Sequence, residues 1–300
     1  MKKLFSLIVL SMSLQMASAQ NVKVIDLQGK SLETEIGDDL LTTDSIVIKG
    51  EVMKDDYQTL ARMISDGKLS GINMSGCITH GDTVYSLTNI GEPTKYPKGL
   101  RYFRFPQNAK VIAGSFKQAT LYDFSIPSSV RTINQQSFLG TKFMDDLHIE
   151  EGVDSIGYMA FYGAKMPKNV YLPSTLRVID TEAFCQTPDN ATETNLWCNG
   201  MTPPRFNNEE TDNGPFNESN YETWTLYVPN GAKSAYESDT YFGKFKNIIE
   251  SEPTGISSSC VERNRCAYKG TFDLTGKRLD NVLRTNSHGV YVVDGKKILK

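Results

Sequence analysis

The chain has 300 residues, with 32 Lys and Arg against 35 Asp and Glu, a formal net charge of −3. That balance excludes a nucleic-acid binder built on a basic face, and the chain has no acidic tail. Hydrophobic residues at 39% and aromatics at 10% are enough to bury a core, and five cysteines are too few for a disulfide framework at this length.

Residues 1–19 read as an export signal. Lys2 and Lys3 precede a mostly apolar stretch from Leu4 to Met16, and Ala17-Ser18-Ala19 forms a small-residue cleavage pattern before Gln20. The apolar stretch is too short for a comfortable membrane span. Its removal takes the net charge from −3 to −5. No later stretch approaches about 18 consecutive apolar residues, so no transmembrane segment is expected in the mature chain. Residues 20–68 read as a strand and a helical cap region. Tyr57, Leu60, Ala61 and Ile64 line one face of a predicted helix from Lys54 to Ser65. Leu69 to Met74 reads as an opening strand.

From residue 100 the chain repeats itself. Phe105, Ile126, Ile149 and Leu172 are separated by 21, 23 and 23 residues, and Ile112, Ile133, Ile156 and Ile179 by the same intervals. Phe116, Phe138, Phe161 and Phe184 follow at 22, 23 and 23. Each unit reads as a strand with alternate residues inward, a turn, a short apolar return leg, and a helical turn that plants the Phe. One unit cannot bury this surface alone, but stacked units can, so the repeat predicts a solenoid with one continuous core. Leu196 to Cys198 and Thr225 to Tyr236 read as later units, which puts the solenoid at 69–250. Residues 199–220 read as an insertion, with Asn207 to Asn220 as its exposed loop.

The stretches Ile126-Pro-Ser-Ser-Val130-x-x-Ile133 and Leu172-Pro-Ser-Thr-Leu176-x-x-Ile179-x-x-x-Ala183-Phe184 closely resemble the BspA-like leucine-rich repeat family of bacterial surface proteins. The third unit departs from that pattern at Glu150, where the strand-ending Pro is missing. The resemblance implies an α/β fold: a right-handed leucine-rich-repeat solenoid of about 23-residue repeats on a parallel sheet, with a small C-terminal β module. It also implies an exported, non-catalytic adhesion protein with no cofactor. Such a protein binds a host matrix protein, a cell-surface protein or a glycan, on the host or a neighbouring cell. Its place is the cell surface, associated with the outer membrane, or the medium, with the periplasm also open.

Residues 251–259, with Pro253 and Gly255, read as a linker, and 260–300 as the β module, with Asp294-Gly295 at a hairpin turn. Phe272-Asp-Leu-Thr-Gly-Lys-Arg and Gly289-Val-Tyr-Val-Val are similar to the sorting segments of exported Bacteroidetes proteins. Surface attachment and a plain capping module are both open for it.

No catalytic set is visible. His80, His148 and His288 fall in different units, and no metal-binding, nucleophile-elbow or phosphate-loop motif occurs. Adjacent acids such as Asp145-Asp146 and Glu150-Glu151 point to opposite faces of a strand and do not converge. Cys260 and Cys266 can close a small loop. Cys185 and Cys198 either pair across neighbouring repeats or, like Cys77, stay buried and free.

The candidate binding surface is the outer face of the sheet. Between the inward positions of successive strands stand Asn73, Arg104, Ser125, His148, Tyr171, Trp197 and Tyr227. Two residues earlier stand Gly71, Tyr102, Asp123, Asp146, Asn169, Asn195 and Thr225. Arg104, Asp123, Asp146 and His148 make a polar first half, and Tyr171, Trp197 and Tyr227 an aromatic second half. The aromatic row suits stacking on sugar rings or gripping a peptide. It equally suits cross-strand packing within the sheet. A structural or scaffolding role in a surface assembly, or accessory glycan capture, is the alternative function.

Overall fold

The computed structural model describes residues 21–89, 95–207 and 213–252, and three short strands near the C-terminus. The export signal and most of the linker lie outside the described residues.

The N-terminal region is built from strand–helix units. Strand β1 (Val22–Asp26) leads to α1 (Leu32–Ile36), then to β2 (Ser45–Val52), α2 (Lys54–Ser65), β3 (Gly71–Thr79) and β4 (Thr83–Val84). Helix α2 buries Tyr57, Leu60, Ala61, Met63 and Ile64, the face its spacing predicts. The buried Asp56 carboxylate ties the two helices together. It accepts from Met53 N at 2.8 Å at the start of α2 and from Leu32 N at 2.7 Å at the start of α1.

The repeats follow. The first carries β5 (Tyr102–Arg104), β6 (Val111–Ile112) and β7 (Thr120–Leu121), and the second β8 (Ser125–Ile126), β9 (Thr132–Ile133) and β10 (Lys142–Phe143). The third carries β11 (Leu147–Ile149) and β12 (Ser155–Ile156), the fourth β13 (Asn169–Leu172) and β14 (Val178–Ile179). The fifth has β15 (Asn195–Cys198), β16 (Arg205–Phe206) and α3 (Glu218–Thr223). The closing unit has β17 (Thr225–Pro229), α4 (Lys233–Glu237) and β18 (Asn247–Ser251).

Two parallel six-stranded sheets run along the solenoid. One is β8-β11-β13-β15-β17-β18, and the return legs form the other, β4-β6-β9-β12-β14-β16. A third short ladder joins β7 to β10, and Lys142 bridges to Lys165. Between these sheets the Phe of each repeat stacks on the next. Phe116 and Phe138 have ring centroids 5.1 Å apart, Phe138 and Phe161 4.9 Å, Phe161 and Phe184 5.0 Å, and Phe184 and Phe216 5.6 Å. Each buried ring contributes roughly 1.5–3 kcal/mol of transfer free energy.

The structure differs from the sequence reading at four places. The Phe-bearing turns are not helical. Left-handed residues two before and two after the Phe, such as Gln136 and Gly140 around Phe138 or Met159 and Gly163 around Phe161, stop a right-handed helix. The outer sheet is not continuous either, because β5 belongs to a separate sheet, β1-β2-β3-β5. Residues 120–122 hydrogen-bond back to Leu100 and Arg101, and the chain bends at Asp123 (φ 45°), so β8 starts a new sheet. The N-terminal sheet, also parallel, begins at β1, well before residue 69.

Finally, the stretch 199–220 carries repeat structure where it is described, residues 208–212 of the expected loop lying outside the described residues. It holds return strand β16 and the buried Phe216, whose turn docks on the fourth repeat through Phe184 N to Pro215 O at 2.8 Å. Asn220, expected in an exposed loop, is buried in α3 and donates to Phe184 O at 3.1 Å. Phe216, Tyr221, Trp224, Tyr236, Phe242 and Phe245 then seal the end of the core.

Near the C-terminus β19 (Thr271–Phe272), β20 (Val290–Val293) and β21 (Lys296–Leu299) pair antiparallel in that order.

Candidate functional site: the outer face of the sheet

Alternation along a strand sends Leu147, Ile149, Val170, Leu172, Leu196, Cys198, Leu226 and Val228 into the core. The residues between them point outward and line up across strands. His148 stands opposite Ser125 and Tyr171, Tyr171 opposite Trp197, and Trp197 opposite Tyr227. Ile249 continues the line on β18. In the N-terminal sheet the same position holds Val24, Val47, Asn73 and Arg104.

The rings of this row stack on one another. His148 and Tyr171 lie 4.4 Å apart at 9°, Tyr171 and Trp197 6.0 Å at 15°, and Trp197 and Tyr227 3.9 Å at 15°. The stacking direction runs across the strands, with His148–Tyr171 and Trp197–Tyr227 in close face-to-face contact and Tyr171–Trp197 more widely spaced. All four are half-buried. Tyr171 has its phenol pKa raised, by burial and then by the nearby Asp146 carboxylate.

Beside the rings runs a ladder of polar side chains. Asn169 Nδ2 donates to both Asp146 oxygens, at 3.2 and 3.0 Å. Asn169 Oδ1 accepts from Asn195 Nδ2 at 3.0 Å and from Trp197 Nε1 at 3.4 Å. Asn169 thus fixes the indole against the polar column.

The division into a polar and an aromatic half is shifted by one strand. His148 belongs to the ring stack rather than to the polar start. Asp123 is not on a strand. It sits in the bend before β8, where Arg104 Nη1 donates to its carbonyl at 2.7 Å and Arg104 Nη2 pairs with its carboxylate. Arg104 and Asp123 therefore bridge the break between the two sheets. The sequence reading missed Val24, Val47 and Ile249, although the repeat register extended outward would have reached them.

Among the described residues no group of three or more His, Cys, Asp and Glu is placed to hold a metal ion. Cys77, Cys185 and Cys198 are free and buried, so Cys185 and Cys198 do not pair. Burial pushes the Cys77 and Cys185 thiols up to about 12 and raises Cys198 as well. Cys260 and Cys266 lie outside the described residues. No helix among the described residues is long and apolar enough to cross a membrane.

A search among curated proteins finds no match for the chain. Residues 83–202 match the family model for the BspA type leucine-rich repeat region, in six copies. With that match and the stacked parallel strands, the fold is a leucine-rich-repeat solenoid.

Proposed function

We propose that this is an exported, non-catalytic binding protein of the cell surface. It uses the outer face of the six-stranded sheet to hold a protein on a host or neighbouring cell. The half-exposed row His148–Tyr171–Trp197–Tyr227, flanked by Asp146, Asn169 and Asn195, carries this reading. Leucine-rich repeats commonly mediate protein binding, which the broad flat face suits. Half-exposed rings beside fixed amides offer rigid contact area and hydrogen bonds at little entropic cost, as protein interfaces require. Stacked rings leave few free faces for a sugar, so glycan capture by this row is the weaker fit.

The test is binding of the purified protein to an array of matrix and cell-surface proteins. It is run beside a folded Tyr171→Ala, Trp197→Ala, Tyr227→Ala variant and beside Thr225→Arg, which leaves the rings in place. A partner bound at least tenfold more weakly by both variants supports the proposal, and unchanged binding places the interface elsewhere.

A scaffolding role is the second reading. It is favoured by β18, the last strand of the outer six-stranded sheet among the described residues, with Ile249 43% exposed. An open strand edge is a template for pairing with another chain. Concentration-dependent assembly abolished by Ile249→Pro would support it.

A further inference from the structure

The return sheet carries a second surface of different chemistry. At the ends of β9, β12 and β14 the outer face sinks into a groove of about 360 Å³. Its lining includes Thr132, Asn134, Gln135, Gly157, Tyr158 and Asp180. Asn134, Gly157 and Asp180 follow the inward Ile of three successive repeats, so they are steps of one column, 23 residues apart. Their backbone N–H groups donate to Ile112, Ile133 and Ile156 carbonyls at 2.9, 2.8 and 2.9 Å. The backbone presenting these positions is therefore fixed by the repeat ladder. Asn134 and Asp180 stand two strand steps apart, about 10 Å. Gly157 between them adds no side chain, and a Cβ there would come within 3.0 Å of Gln135 N.

We infer that this groove is a binding site for a neutral saccharide, with Asn134 and Asp180 as hydrogen-bonding walls and Tyr158 as the stacking surface. Four observations carry it. The side-chain amides of Asn134 and Gln135 have no hydrogen-bond partner within the described residues, and Asp180 uses one carboxylate oxygen on Thr181 N at 2.7 Å. Amides donate and accept, and a carboxylate accepts, which matches adjacent sugar hydroxyls. Tyr158 is 38% exposed and stacks on no other ring among the described residues, unlike the outer-face row. A tyrosine ring face, negative in its quadrupole, attracts the positively polarised C–H face of a pyranose. Finally, no Lys or Arg among the described residues lines the groove, and Asp180 repels anions, so sulfated or acidic chains do not fit.

The test titrates the full-length protein with neutral oligosaccharides built on glucose, mannose, galactose or N-acetylglucosamine, with heparin as the anionic control. Tyr158→Ala and Asp180→Asn are compared with wild type after their melting temperatures are shown unchanged. The expected result is saturable binding of at least one neutral chain, weakened at least tenfold by each variant and unchanged by Trp197→Ala. No neutral chain bound at millimolar concentration overturns the inference. So does binding indifferent to the two groove variants, or binding of heparin alone. Loss in Trp197→Ala but not in Tyr158→Ala would also overturn it, and would return sugar binding to the outer face.

Discussion

The rings of Trp197 and Tyr227 lie 3.9 Å apart and 15° from parallel, although 30 residues separate them in sequence. They belong to β15 and β17, where Trp197 and Tyr227 are direct cross-strand partners. A face-to-face pair on a half-buried surface contributes to stability beyond its area. The coupling between them in a double-mutant cycle of Trp197→Ala and Tyr227→Ala is expected to be about 0.5–1.5 kcal/mol. Urea denaturation of the four proteins measures it. Additive losses would mean that the rings are neighbours without energetic contact, free to turn toward a ligand.

The inner ladder is expected to dominate stability over the outer one. Phe161 is fully buried, stacks on Phe138 and Phe184, and lies against Phe143. Phe161→Ala leaves a cavity that the repeat ladder cannot collapse, at a cost of about 3–5 kcal/mol. Tyr171→Ala, half-buried on the outer face, is expected to cost clearly less. A larger loss for Tyr171 than for Phe161 in matched denaturation curves would contradict the assignment of core and surface.

Much of this arrangement was legible from spacing. The intervals of Ile112, Ile133, Ile156 and Ile179 give the return sheet, and the apolar face of Lys54–Ser65 gives α2. Trp197 falls in line with Tyr171 although Leu172 and Cys198 are 26 residues apart, because the extra residues fold into a short turn of helix, Pro188–Asn190, before β15. What periodicity hides is departure from period. Phe216 stands 32 residues after Phe184, so it passes for loop sequence, yet it fills the same column. The left-handed bend at Asp123 is a local backbone state that no apolar pattern encodes. The direction of ring stacking is likewise a matter of rotamers, and it decides whether faces or edges meet a ligand.

The left-handed turn residues predict a backbone effect. Gly140 has φ 65°, and among the described residues a Cβ there would meet only the flexible Gln118 Cγ, at 3.4 Å. Gly140→Ala therefore carries mainly the left-handed penalty, about 1–2 kcal/mol. Gly152 (φ 118°) is different, because a Cβ there would come within 2.5 Å of Ser128 O. Gly152→Ala is expected to be the more damaging of the two in thermal denaturation. Equal losses would mean that the turn backbone relaxes freely.

The buried thiols predict a loss of stability on the alkaline side. Burial pushes Cys77 and Cys185 up to about 12, against about 8.5 for a free thiol in the unfolded chain. Between those values the unfolded state has released protons that the folded state keeps, so stability falls as pH rises. The contribution is intact below about pH 8.5 and is lost progressively as pH approaches 12. Cys77→Ala and Cys185→Ala, compared with wild type from pH 7 to pH 10.5, are expected to flatten that decline even where they lower stability at pH 7. The thiols should also resist a thiol reagent in the native protein at pH 8 and react only on unfolding. Rapid labelling of the native protein at pH 8 would show that the sites open without global unfolding, and the predicted alkaline slope would then be absent.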